Sequence, residues 1–188
     1  MGTEGGMRLA TLTARVLIGG LFIGHGTQKL KGWFGGPGID GMTAGMDRMG
    51  MHPPRRNAYA AGLSETVGGS LLALGLFTPL AASMLTGTMA VAIEKVHRSN
   101  GPWVSNGGWE YNAVLIATTL SFAENGPGAI SLDHALGIER KGLLTALAAA
   151  GVGAAAAYAT VRSARAHAPS DTQPSSEDAE PRTPHPVS

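Results

Sequence analysis

From Thr66 to Ile93 the chain carries 28 consecutive residues without a formal charge, interrupted only by the turn signal Thr78-Pro79. Two helices fit on either side of that turn, and no water-facing stripe can be drawn on either. A soluble bundle needs such a stripe, so the run confines the chain to folds whose helices are surrounded by lipid. Composition agrees, since charged residues make up 14% of the chain against about 25% in ordinary soluble domains. A net charge of +1, with no basic cluster interleaved with aromatics, gives no reason to expect a nucleic-acid partner. Cysteine is absent, which excludes disulfides, thiolate metal sites and thiol-based electron transfer by this chain.

The remaining apolar segments fit around this centre. Residues 1–8 read as a loose leader. Leu9–Leu30 matches the roughly 20 residues needed to cross a hydrocarbon core. On a helix Arg15, Ile18, Phe22, His25 and Lys29 fall on one stripe, which must face protein or water. Arg15 and Lys29 are expected to snorkel to opposite interfaces, and His25 to find a polar partner inside the bundle. Residues 31–57 form a connection rich in Gly, Met and Pro, in which Asp40–Met51 has the spacing of a short amphipathic helix lying on the surface. The second crossing is Asn57–Phe77, with Glu65 its one charge beside the small residues Ala61, Ser64, Gly68 and Gly69. A third crossing follows the Thr78-Pro79 turn to about Val96, and Tyr111–Ala123 forms a short fourth.

Asn125-Gly126-Pro127-Gly128 is a stop signal, and Ile130–Ile138 reads as a short surface helix capped by Ser131. Gly142–Val161, within residues 139–165, is an uncharged run that serves as an additional C-terminal crossing. Residues 166–188 hold five of the 11 prolines and no aromatic side chain, the composition of a disordered tail. The expected fold is therefore all-α: a membrane four-helix bundle over residues 9–138, a fifth C-terminal transmembrane helix, and a tail.

Two polar groups stand out, at Gly24–Gly36 and at His97–Asn112, and an up-and-down helix order brings them to one end of the bundle. His25, Gln28, Lys29, Glu65, His97, Asn106, Glu110, Tyr111 and Asn112 are the candidate polar or ligand-binding residues. An ionisable side chain inside a membrane helix points to a functional site by default, and Glu65 reads equally well as a structural partner of Arg15, His25 or Lys29. Nine basic residues (Lys29, Lys31, Arg48, Arg55, Arg56, Lys95, Arg98, Arg162 and Arg165) lie on the side of this end and four (Arg8, Arg15, Arg140 and Lys141) on the other. The positive-inside rule then makes loops 31–57 and 97–110 and the tail cytoplasmic.

The stretches RVLIGGLFIGHGTQKLKGWFGGPG, AGLSETVGGSLLALGLFTPLAA and SNGPWVSNGGWEYN, in this order, resemble the DoxX family of bacterial integral membrane proteins. The likeness covers about Leu9 to Gly137. It implies a four-helix membrane core in a bacterial plasma membrane, in a family named from a subunit of thiosulfate:quinone oxidoreductase. Three functions follow as expectations. The first is a subunit or accessory of a quinone-linked membrane redox system, in which His and Glu in low dielectric exchange protons and Trp103, Trp109 and Tyr111 contact a ring. The second is a non-catalytic scaffold that recruits soluble partners through its loops and tail. The third is a small-solute or ion transporter, because buried His and Glu also mark ion pathways. No metal site is expected, since no paired-His spacing occurs. The bilayer itself, and proteins of a redox complex, are the expected partners.

Overall fold

The computed structural model describes residues 2–168, and their side chains from Leu9 onward. It is all-α, with no strand among the described residues. The helices are α1 (Gly2–Lys31), α2 (Gly38–Arg48), α3 (Pro54–Leu74), α4 (Thr78–Ala92), α5 (Glu110–Asn125), α6 (Leu132–Ala135) and α7 (Leu143–Ala166). The expected loose leader is helical from Gly2 and continuous with α1. Of the expected tail, residues 169–188 lie outside the described residues.

At their crossings the helices bury small residues and turn many large apolar ones outward, around a core that still holds Phe22, Leu72, Leu85, Leu115 and Phe122. Along α7 the buried positions are Ala146, Ala149, Gly153, Ala157, Val161 and Ala164, while Leu143, Leu147 and Val152 are exposed and Leu144 is 82% exposed. On α1, Leu9, Val16, Leu17 and Leu21 face out while Arg15 and Phe22 face in. Two helices, at Leu9–Lys31 and Leu143–Ala166, are long and apolar enough to cross a membrane.

Glycines set how closely the helices approach. A Cβ on Gly19 would stand 2.6 Å from the carbonyl oxygen of Gly69, and one on Gly69 would stand 2.7 Å from that of Gly19. Further along, a Cβ on Gly26 would meet Thr66 and the Gly62 carbonyl. The order of these contacts makes α1 and α3 antiparallel. A second close crossing joins α4 and α7, where Gly87 approaches the carbonyl of Gly153. Ser64 of α3 donates to the Met84 carbonyl of α4 at 3.2 Å and accepts from Thr88 at 2.8 Å, a polar seam between otherwise apolar helices.

The turn between α3 and α4 is held from outside. Gly75, at φ 62°, ends α3 in the left-handed region. Phe77, at φ 46°, also occupies that region, which a side-chain-bearing residue adopts only when its neighbours fix it. The fixing group is Asp133, fully buried, whose carboxylate accepts from the backbone N–H of Phe77 at 2.7 Å and from both the N–H and hydroxyl of Thr78 at 2.9 and 2.7 Å. Asp133 thereby caps α4 at its positive end. Ser131 caps α6 as expected, by accepting from the His134 N–H. Beside this turn Glu139 accepts from His134 at 3.1 Å and Lys141 at 3.0 Å, and these two partners hold its carboxyl below the usual range.

Arg15 departs from expectation. It does not snorkel: only 1% of the residue is exposed, and its guanidinium donates to the carbonyls of Ala73, Pro127 and Ile130. One carbonyl in the last turn of α3 and two in the loop after α5 meet five fixed donors, so the side chain bolts the end of α3 to that loop. The α2 methionines depart as well. Instead of resting on a lipid surface, Met46 and Met51 are buried against Ala58 of α3 and Ala164 of α7. This places α2 across the end of the bundle opposite Arg15.

Candidate functional site

Beneath α2 lies a cavity of about 550 Å³. Its walls come from α1, α2, α3, α4, α5 and α7, together with the segment between α4 and α5. The size falls within the range of small-molecule sites, as does a mostly apolar wall with a few converging polar groups.

The apolar wall is dominated by methionine. Met42, Met46, Met49, Met51, Met84 and Met89 all line the cavity, so every methionine beyond Met7 converges here. The side chain of methionine is unbranched and polarisable, and it adapts to irregular apolar ligands. Met46 and Met51 also pack in a buried cluster with Ala58 and Ala164, so the same side chains hold α2 in place and line the wall. The near-helical spacing of the α2 methionines was visible, but not that the helix folds inward.

Of the nine candidate residues, His25, Lys29, Glu65, His97, Tyr111 and Asn112 line this one cavity. Glu65 of α3 is 3% exposed and accepts a hydrogen bond from the ammonium of Lys29 on α1. Lys29 also reaches the carbonyl of His25 at 3.4 Å. A charge placed at this depth is costly unless paired, and the i, i+4 spacing of His25 and Lys29 sets both on the α1 face that meets α3. Arg15, the alternative partner of Glu65, is committed at the far end.

Gln28 lies outside the wall and orients His25 instead, its Oε1 standing 3.1 Å from His25 Nδ1. The tautomer with a proton on Nδ1 donates to the amide and leaves Nε2 as an acceptor. Gln28 in turn is pressed by Gly36, where a Cβ would come within 2.5 Å of the Gln28 Cα, so the second glycine after Trp33-Phe34 lets the chain double back against α1.

On the opposite wall Asn112 donates to the Met89 sulfur at 3.3 Å. His97 Nδ1 stands 2.7 Å from the Gly107 carbonyl, which ties the end of the α4 segment to the following loop. Glu110 and Asn106 do not line the cavity. Glu110 instead accepts from the Val104 N–H at 2.6 Å and closes the loop on itself, and Asn106 sits exposed in its turn. Gly108 is buried where a Cβ would stand 2.4 Å from the Gly101 carbonyl, which accounts for the second glycine of Asn106-Gly107-Gly108. Trp103 and Trp109, expected to offer ring contacts, are exposed and absent from the wall. Phe22 and Tyr111 supply the aromatic surface there. Lys95 also lines the cavity and has no ion-pair partner among the described residues.

Comparison with known proteins locates this arrangement. The DoxX family model matches residues 10–98. Those residues form a DoxX domain. The match contains His25, Lys29, Glu65, four helices of the wall and all six cavity methionines. It stops short of α5 and α7. The chain is also 28% identical over 125 residues to "Putative oxidoreductase CatD" of Bacillus subtilis (strain 168), covering 66% of this chain and 85% of that one. No solved structure matches the chain. The protein is thus a membrane protein with a DoxX domain, and two of its helices are long and apolar enough to cross the bilayer.

Proposed function

We propose that this protein is the membrane subunit of a redox system and binds a quinone-like ring in the cavity beneath α2. The observation that carries the reading is the buried Lys29–Glu65 pair on the wall of an otherwise apolar, methionine-rich cavity. The name of the Bacillus subtilis relative, an oxidoreductase, points the same way. A quinone-like ligand, when bound, would supply the two-electron acceptor chemistry that the twenty side chains lack.

The residues fit such a ligand. Phe22, Tyr111 and the methionines offer a flat, polarisable apolar surface. Lys29 commits two of its three N–H donors, to Glu65 and to the His25 carbonyl, and keeps one for a carbonyl oxygen. Asn112 and His97 add polar edges on the far wall. His25 is placed to hold or release a proton at Nε2, with Gln28 fixing its tautomer, and Glu65 holds Lys29 in position. Electrons come from a partner, since the chain contains no cysteine of its own to cycle.

Helix order places α1, α4 and α7 with their C-terminal ends, and α3 and α5 with their N-terminal ends, at the cavity. We read the five long helices as five crossings of the plasma membrane with the cavity end cytoplasmic.

Titrating purified protein with a water-soluble menaquinone or ubiquinone analogue tests the proposal. Saturable binding is expected, weakened about tenfold or more in Glu65→Gln and in Lys29→Met, each checked for an unchanged size-exclusion profile. Binding no greater than that of a detergent blank would overturn it.

A further inference from the structure

A second concavity, of about 340 Å³, runs along the outer seam between α4 and α7 and has a different character. Its floor is Ala90, Val91, Ala157 and Val161, an apolar trough between two helices. Its cavity-side end is polar: Glu94 on the segment after α4, and Arg162 and Arg165 on α7. Tyr158, 65% exposed, forms one rim, with the Arg162 guanidinium 5.8 Å from the centre of its ring.

The charges at this end do not cancel. Glu94 is engaged by Arg98 at 2.7 Å, one turn further on, and reaches Arg165 only at 4.0 Å. Arg162 has no carboxylate partner among the described residues. One acid therefore faces three guanidiniums, and two positive charges remain over at the level where the helices end. A trough of alanine and valine running towards the membrane interior, closed by guanidiniums and an exposed tyrosine at the interface, has the two-part chemistry of a phospholipid: acyl chain below, phosphodiester above. Guanidinium forks suit phosphate oxygens in particular.

We propose that the α4–α7 groove binds one anionic phospholipid from the leaflet on the cavity side, with its phosphodiester on Arg162 and Arg165 and an acyl chain along Ala90 and Ala157. The groove shares Val91 and Ala157 with the wall of the cavity beneath α2 but none of its polar residues, and it depends on α7, which lies beyond the part of the chain that matches the DoxX model. Its occupant bridges α4 and α7 and so ties the last helix to the domain.

Native mass spectrometry of the full-length protein, released from micelles doped with phosphatidylglycerol or with phosphatidylcholine, tests this. Phosphatidylglycerol is expected to remain bound at one copy per chain and phosphatidylcholine to dissociate. The double substitution Arg162→Gln with Arg165→Gln, at two exposed positions, should lower phosphatidylglycerol retention roughly tenfold or more. Glu94→Gln, which removes the one competing carboxylate, should hold or raise retention. Equal retention of the two lipids, an undiminished double variant, loss of lipid in Glu94→Gln, or displacement by an equal concentration of inorganic phosphate would each overturn the proposal.

Discussion

Arg15 and Lys29 share one stripe of α1 and have opposite tasks. Arg15 satisfies three carbonyls where α3 ends and the chain returns after α5, whereas Lys29 holds one carboxylate beside the cavity. Removing Arg15 leaves those acceptors buried without a donor, a loss of roughly 3 kcal/mol or more. Arg15→Met should therefore unfold well before the wild type in a detergent-titration or thermal assay and lose little affinity for a cavity ligand per folded molecule. The stripe itself was legible in the spacing of Arg15, His25 and Lys29. The division of labour was not, because the carbonyls that Arg15 meets lie 58, 112 and 115 residues away in sequence, and a backbone acceptor carries no side-chain signature. Asp133 is similar. It reads as one acid of a short surface helix, and only the fold brings it to the N-terminus of α4.

At the scale of elements, closeness between helices replaces the hydrophobic drive that a bilayer removes. The small-residue zone of the second segment was evident in the sequence, yet it serves two neighbours at once. Gly62 and Gly69 face α1, and Ser64 and Gly68 face α4. Gly69→Val would push a branched side chain into the Gly19 carbonyl and the Phe22 Cβ, and should cost about 1–3 kcal/mol or separate α1 from α3 altogether. Gly20→Val is the matched control: no atom lies within 4 Å of a Cβ there, so its stability should stay near wild type. Equal losses in the two variants, measured by the same unfolding assay, would mean that helix propensity and not packing sets the effect. The sequence also showed the regular methionine spacing of α2 but not its placement, since a face of methionines suits a lipid surface and a protein cavity alike. What decides is the room left between α3 and α7, where Ala58 and Ala164 accept Met46 and Met51.

For the whole molecule, the two polar ends of the bundle are chemically distinct. One carries the cavity and a ring of basic residues. The other carries the Asp133 turn, the Arg15 bolt and the Glu139 cluster. The proposed cytoplasmic orientation of the cavity rests on the basic residues at its end. A chain without cysteine allows this to be tested directly. Asn106→Cys, exposed in the loop over the cavity, and Arg140→Cys, exposed before α7, place single thiols at opposite ends. In intact cells a membrane-impermeant maleimide should label Arg140→Cys and spare Asn106→Cys until the membrane is opened. The inverse pattern would turn the cavity to the outside, so that a ligand and its electron-donating partner would have to approach from there. Labelling of both from one side would break the helix order on which the cavity depends, since α4, α5 and α7 can enclose it only if the loop at Asn106 and the start of α7 lie at opposite ends of the bundle.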